Sequence, residues 1–193
     1  MTAEQTDLFA PLRALPEGLR YQDDFLDAEE ENALMAELAV LPLREARYKE
    51  WAAKRRVVSY GGRYDFDRNV LVPEQPIPPF LFSLRARAAD WMGVAAGQLD
   101  HALVAEYRPG TQLGWHRDVP EFGAVVGVSL AGAATMRLRR YPHVVRTRER
   151  ALSLELTSRS IYSLRGDARW QWQHAISPTK ALRYSITFRA LRR

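Results

Sequence analysis

Cysteine is absent from all 193 residues, which excludes disulfide frameworks, thiolate metal sites, iron–sulfur clusters and cysteine nucleophiles. Any metal chemistry must run on nitrogen and oxygen ligands. Histidine is scarce too, with four residues at positions 101, 116, 143 and 174. No stretch approaches the roughly 18 consecutive apolar residues of a membrane span. The opening "MTAEQTDLFAPLRALPEG" lacks the charged-then-apolar pattern of a signal peptide. The expectation is a soluble, cytoplasmic protein with no membrane partner. Acidic residues are outnumbered, 23 against 28 Lys and Arg, for a net charge of +5. That balance permits a polyanionic partner without requiring one.

The length suits one domain with a substantial core. Residues 1–20, with Pro11, Pro16 and Gly18 and little periodicity, read as an N-terminal arm, and 21–193 as a single domain. Asp27 and Glu30 form a capping signature ahead of Leu34, Met35, Leu38 and Leu41, which share one apolar face before Pro42. The stretch "KRRVVSYGGRYDF" predicts a hairpin turning at Gly61-Gly62. Leu81, Leu84, Ala88 and Trp91 predict a second helix with Arg85 and Arg87 outward. After Gly97 the chain becomes a series of short β-rich runs, "HALVAEY", "AVVGVSL", "ATMRLRR", "LSLEL", "SIYSL" and "YSITF", with no helical interlude. The fold class is therefore α+β, mainly β. A jelly-roll core over 98–191 is buttressed by N-terminal helices, with a lid hairpin, over 21–97.

In "GWHRD", His116 and Asp118 stand two apart, so on extended backbone they point the same way while Arg117 faces elsewhere. They supply two legs of a facial triad, the arrangement that leaves half of an octahedral ion open in non-haem Fe(II) oxygenases. The third leg must come from elsewhere. His101 reads as a polar strand end and His143 as a solvent-exposed loop residue. His174 closes "RWQWQH" ahead of an apolar pair and a proline, like a strand residue entering a bounded site. Nearby, "RYSITFR" places Arg183, Ser185, Thr187 and Arg189 on one face and Tyr184, Ile186 and Phe188 on the other. Buried guanidiniums need partners, and a dicarboxylate would serve; an edge strand with one wet face is the plainer alternative. Trp170 and Trp172 alternate with glutamines and are expected in the barrel core.

Together, "EYRPGTQLGWHRD", "VVGVSL", "GDARWQWQH" and "RYSITFR" resemble the AlkB family of Fe(II)- and 2-oxoglutarate-dependent dioxygenases, over roughly residues 55–191. The resemblance implies that His116, Asp118 and His174 hold Fe(II), and that Tyr107 and Arg183 bind the distal carboxylate of 2-oxoglutarate. Arg189 would sit near its metal-chelating end, with Ser129, Ser185 and Thr187 lining the pocket. Two positions depart from the family pattern: Ala105 and Ser185 stand where well-known members have asparagine. A third is Pro120, where they carry an acid; Glu121 is its neighbour.

For this family the implied reaction, with O2 as oxidant, is hydroxylation of a methyl on a base nitrogen. The hemiaminal then collapses to formaldehyde, with succinate and CO2 as the other products. Nucleic acid, DNA or RNA, would be the partner, and nothing in the chain demands a second subunit. The base must leave its stack. Tyr60 and Tyr64 are the candidate lid aromatics, with a place in the core as the equal alternative, and Lys54, Arg55 and Arg56 are expected near phosphates. Arg137, Arg139 and Arg140, then Arg146, Arg148 and Arg150, form a second basic region at the mouth or a solvated loop. A same-fold oxygenase acting on a protein side chain or small molecule is the alternative, and a non-catalytic module of this fold a third reading.

Overall fold

Alternation through residues 183–191 decides the architecture. Tyr184, Ile186 and Phe188 turn towards packed helices, while Arg183, Ser185, Thr187 and Arg189 turn into the space between two sheets. A computed structural model describes residues 15–48, 51–143 and 151–192, the side chains at 47, 48 and 51–53 excepted. In chain order, β1 (Leu19–Gln22) and α1 (Ala28–Ala39) precede β2 (Arg44–Tyr48), β3 (Trp51–Tyr60), β4 (Arg63–Asp65) and β5 (Val70–Val72). Next come α2 (Phe82–Met92), β6 (His101–Tyr107), β7 (Leu113–His116), β8 (Phe122–Ala131) and β9 (Ala134–Arg140). The chain closes with β10 (Leu152–Leu156), β11 (Ile161–Leu164), α3 (Gly166–Trp170), β12 (Trp172–Ile176) and β13 (Arg183–Leu191).

The strands form a seven-stranded sheet, β1-β11-β8-β13-β6-β3-β2, and a four-stranded sheet, β10-β9-β12-β7. This is the jelly roll that the strand spacing predicts. One core cluster lies between the helices and the large sheet, built from Leu38, Leu84, Ala88, Val128, Ile186 and Phe188 among others. A second fills the space between the sheets with Met136, Leu138, Leu156, Tyr162 and Leu164. β13 is bonded on both sides, to β8 and β6, so it is a central strand and not a wet edge.

α1 begins where the sequence places it. The Glu30 N–H donates to Asp27 Oδ1 at 2.8 Å and the Asp27 N–H to Glu30 Oε2 at 3.0 Å, satisfying two otherwise orphaned donors. Leu38 is buried, and Leu34, Met35 and Leu41 pack around it. Arg87 departs from its expected outward pose: it bonds Glu30 and donates to the Phe25 carbonyl at 2.7 Å, tying α2 to α1. Arg85 likewise turns back to the Ala96 carbonyl at 2.9 Å.

Three expectations are corrected. Residues 1–14 of the predicted arm lie outside the described residues, but Leu19 and Arg20 already pair with Leu164 and Ser163, so the domain takes in part of 1–20. Gly61-Gly62 turns a corner instead of closing a hairpin, because β3 is occupied by β2 and β6 while β4 pairs with β5. Gly61 has φ +77°, and a Cβ there would stand 2.1 Å from the Asp100 carbonyl oxygen, so the corner requires glycine. The β4–β5 turn is organised by Asp65, whose Oδ1 accepts from the Asp67 and Arg68 amides at 3.0 Å each. Finally, "GDARW" forms the short α3, a helical interlude within the β-rich half.

Close packing between the sheets yields a stability test. A Cβ at Gly127 would lie 2.5 Å from the Tyr162 ring, whose own strand pairs with β8 at that position. Gly127→Ala is expected to destabilise the fold by about 1–3 kcal/mol through overpacking, read as a lower urea midpoint with unchanged slope.

Candidate active site

β12 runs antiparallel to β7 and sets His174 opposite His116, ring centroids 4.2 Å apart. Asp118 follows two residues past β7, with Oδ2 at 3.6 Å from His174 Nε2. One ligand atom from each of the three lies within 4.8 Å of the others. His116 Nδ1 is 2.8 Å from the Gly114 carbonyl, which can only accept, so Nδ1 carries the hydrogen and Nε2 presents its lone pair. Asp118 Oδ1 accepts from Arg189 Nε at 3.3 Å, whereas its buried Oδ2 has no protein donor. An orphaned carboxylate oxygen beside free imidazole nitrogens is a donor set suited to one divalent cation.

The loop carrying Asp118 is held by Arg169, a residue that sequence reasoning did not single out. Its side chain, 2% exposed, donates to the carbonyls of Asp118 at 3.0 Å, Val119 at 2.6 Å and Phe122 at 2.9 Å. A buried cation satisfied by three carbonyls fixes the loop as bonds to a charged group do. It sits on α3, the element the strand reading passed over.

Burial pushes the Asp118 carboxyl up, but Arg189, the two imidazoles and Arg169 outweigh it and hold it well below the usual carboxylate range. Burial lowers His174 to about 3, helped by His116 and opposed by Asp118. His116 is lowered by burial against the pull of Asp118 and the Gly114 carbonyl. The His174–Asp118 contact is therefore neutral imidazole to carboxylate at neutral pH, and Arg189 is the cation that keeps Asp118 ionised. The stability consequence has a definite sign. Both imidazoles titrate lower when folded than unfolded, so the unfolded chain binds more protons below about pH 6.5, and stability falls with pH. The slope approaches about 1.4 kcal/mol per pH unit per imidazole. The contribution of Asp118 persists until the pH drops below about 4 and is lost through its folded value. Urea midpoints of the metal-free protein are expected to decline steadily from pH 7 to pH 5, whereas a flat profile would contradict buried neutral imidazoles.

Beside the cluster is a second constellation. Arg183, 1% exposed, pairs in register with Tyr107 on β6, and its Nε donates to Ser129 Oγ at 2.9 Å. Its Nη1 is buried without a partner. Arg55 on β3 reaches the Tyr107 hydroxyl through Nη1 at 3.3 Å, leaving its own Nε buried and unpaired. Burial alone would raise the Tyr107 phenol, but Arg55 and Arg183 bring it below its ordinary value. Ser185 and Thr187, 3.5 Å apart through their hydroxyls, line the same pocket. Its lining holds three guanidiniums, Arg55, Arg183 and Arg189, against one carboxylate, Asp118. Such an excess of buried positive charge with unused donors is matched by a dianion.

The expected substrate residues fare differently. Tyr60 is 5% exposed in the helix-side core, and Arg56 lies on that same outer face in an ion pair with Glu106 at 3.3 Å; neither meets the pocket. Alternation along β3 sends Arg55 inward instead. Arg137 is exposed on the outer face of the small sheet, because Met136 and Leu138 take the inner one. Tyr64 stays half-buried on the β4–β5 hairpin, edge-to-face with Phe66 at 5.0 Å, and close enough to Glu121 to feel its charge. Glu121 Oε2 is buried without a donor. His101 opens β6 as expected but is buried, packed edge-on to Phe122, and His143 is exposed as expected. Trp172 packs against the inter-sheet core, whereas Trp170 closes α3 half-buried between Arg169 and Arg192. Arg146, Arg148 and Arg150 lie outside the described residues.

A jelly roll enclosing a His–Asp–His cluster and an arginine-lined recess defines the class of non-haem iron oxygenases. Comparison with known proteins agrees: the family model of the 2OG-Fe(II) oxygenase superfamily matches residues 18–189. The chain belongs to that superfamily and, within it, is an AlkB-family enzyme whose cofactor and co-substrates are Fe(II), 2-oxoglutarate and O2. It is 23% identical over 175 residues to the mouse tRNA (carboxymethyluridine(34)-5-O)-methyltransferase ALKBH8, an alignment spanning 88% of this chain and 26% of that protein. It is 30% identical over 182 residues to the Arabidopsis thaliana alkylated DNA repair protein ALKBH8 homolog, spanning 82% of this chain and 50% of that protein. The chain thus matches a quarter to a half of these relatives' length. Among solved structures, OsALKBH1 superposes with a TM-score of 0.70 at 17% identity, covering 93% of this chain and all of that one. A Pseudomonas putida prolyl-4-hydroxylase superposes at 0.61 with 18% identity, covering 91% and 93%. At such identities these two likenesses concern the fold alone. Among the described residues no helix is long and apolar enough to cross a membrane.

Proposed function

We propose that this dioxygenase demethylates N-alkylated bases in nucleic acid, DNA or RNA, releasing formaldehyde, succinate and CO2. The observation that carries the reading is the juxtaposition of the His116–Asp118–His174 cluster with three guanidiniums that have only Asp118 to balance them. In this assignment the cluster holds Fe(II). Arg183 and Tyr107 receive the distal carboxylate of 2-oxoglutarate, and Arg55 adds the donor that Ala105 lacks on β6. Arg189, already on Asp118, faces the carboxylate nearer the metal. Ser129 fixes the Arg183 fork, while Ser185 and Thr187 shape the wall. When bound, iron and the keto-acid supply with O2 the oxidising power to hydroxylate a substrate C–H bond, as the keto-acid becomes succinate and CO2.

The protein's own work is orientation and exclusion of water. His116, His174, Arg183 and Arg189 come from paired strands, so their separations are set by backbone ladders, while Asp118 comes from the loop that Arg169 pins. Tyr64, on the β4–β5 hairpin, and Glu121, three residues past Asp118 and near enough to Tyr64 to interact with it, are the groups we assign to an extruded base. The names borne by the mouse and Arabidopsis relatives support a nucleic-acid substrate. The test is formaldehyde release from oligonucleotides carrying 1-methyladenine or 3-methylcytosine, with DNA and RNA arms. Turnover of 2-oxoglutarate with Fe(II) but no formaldehyde from either would overturn the substrate assignment while leaving the oxygenase.

A further inference from the structure

Behind the sheet that carries the two imidazoles lies a surface the active site does not use. Because His116, Leu138 and His174 turn inward on adjacent strands, Trp115, Arg139 and Gln173 turn outward, and Arg137 with them. Two guanidiniums share one indole: Arg139 lies 4.4 Å and Arg137 5.3 Å from the Trp115 ring centroid. Arg139 Nε also donates to Gln173 Oε1 at 2.8 Å. At the end of the sheet nearest Asp118 the pattern repeats. Arg117 sits 3.7 Å over Tyr141 and donates through Nη1 to the Trp170 carbonyl at 2.9 Å, whereas Arg140 and Trp172 share the inward side with Leu138 and His174. Among the described residues none of Arg117, Arg137 and Arg139 takes part in an ion pair. On β10, Glu155 is exposed opposite Thr135, diagonal to Arg137.

Guanidiniums stacked on aromatic faces are already ordered, so they lose little freedom on gripping an anion through the N–H groups that the Trp170 carbonyl and Gln173 leave free. Three of them without ion-pair partners repel one another, and a chain of regularly spaced negative charges relieves that repulsion more than a single anion can. The rings are capped by the arginines, which leaves charge rather than base stacking as the attraction.

We propose that the outer face of the small sheet, from Arg117 beside the Asp118 loop to Arg139 and Arg137, is a docking track for the phosphodiester backbone of a nucleic acid. The inference rests on the nucleic-acid reading above and adds the route of the strand: past the Asp118 loop and across the back of the β7–β12–β9 sheet. The track recognises backbone charge and not sequence.

The experiment is fluorescence anisotropy of labelled single-stranded DNA and RNA of the same sequence across a salt series, with the full chain. Arg137→Glu combined with Arg139→Glu is expected to weaken binding about tenfold or more. Arg139→Gln alone is expected to reduce the slope of log affinity against log salt by about one. Glu155→Lys is expected to tighten binding severalfold, an increase that misfolding does not produce. The melting shift on adding Mn(II) and 2-oxoglutarate, which reads the opposite face of the sheet, checks that each variant is folded. A stronger hold on one nucleic acid names the source of the backbone; equal holds fit recognition of phosphate alone. Binding unchanged in the double variant and in Glu155→Lys would overturn the track, as would displacement of the oligonucleotide by polyglutamate at equal charge. Formaldehyde release by a wild type whose binding ignores these substitutions would sink the track and spare the proposed reaction. Arginine-dependent binding without formaldehyde would do the reverse.

Discussion

His174→Ala is expected to abolish 2-oxoglutarate turnover and, with it, the thermal stabilisation that a divalent ion and the keto-acid confer. His174 faces His116 across a strand pair, and its neutral Nε2 looks at the Asp118 oxygen that no protein group satisfies. Losing even an outer partner of a metal ligand typically costs about 10–100-fold in affinity or activity, so deleting a ligand should cost more. With Mn(II) in place of iron at about one hundred times its dissociation constant, wild type should gain about 2.7 kcal/mol from the metal alone. For a domain of this size that is a rise of roughly 5–10 °C in Tm. The variant should show none. The acid destabilisation of the metal-free protein should also be shallower in the variant, since one of the two suppressed imidazoles is gone. A variant that keeps both the shift and the turnover would exclude His174 from the metal.

Arg183→Met should separate function from stability, with opposite signs. In the ligand-free protein Arg183 is buried with one unpaired guanidinium nitrogen, its Nε on Ser129 and its guanidinium 5.0 Å from the Tyr107 ring centroid. Replacing a buried charge by an apolar side chain of similar length is often neutral or stabilising, by about 1–4 kcal/mol. The metal-free variant is therefore expected to melt at or above the wild-type temperature. Towards 2-oxoglutarate the effect reverses, because a bidentate clamp on a buried carboxylate is worth about 2–5 kcal/mol when one partner is removed. The KM for 2-oxoglutarate should rise by a factor of about 30 or more. At saturating co-substrate kcat should fall much less, the clamp being remote from the reacting carbon. Equal losses in kcat and kcat/KM, or a destabilised ligand-free protein, would contradict this role.

The parts legible without coordinates are those encoded locally. Asp27 and Glu30 announce a helix start because the capping box is made within four residues. The two faces of 183–189 follow from a period of two, and so does the shared direction of His116 and Asp118. Strand spacing alone indicates a jelly roll.

Strand neighbours and inward faces are not encoded that way, and the misplacements in β3 and at Gly61-Gly62 trace to them. "KRR" in β3 offers two arginines of opposite facing. Pairing with β6, which matches Arg56 to Glu106 and Tyr60 to Ala102, sends Arg55 into the pocket and Tyr60 into the helix-side core. Gly61-Gly62 looks like a hairpin turn because turns and corners need the same backbone freedom; only the occupation of both edges of β3 excludes the hairpin. Arg169 carries no local signal at all. Its importance comes from three carbonyls some fifty residues earlier in the chain.

By itself the sequence determined which side chains share a face, where the first helix begins, and that metal chemistry had to rest on imidazole and carboxylate. Tertiary structure alone decided which arginine enters the pocket, that β13 lies at the centre of its sheet, and that the small sheet presents Arg137 and Arg139 away from the site. The division is physical. Side-chain direction follows from backbone geometry over a few residues, whereas burial and partnership depend on which distant strand supplies the neighbouring ladder.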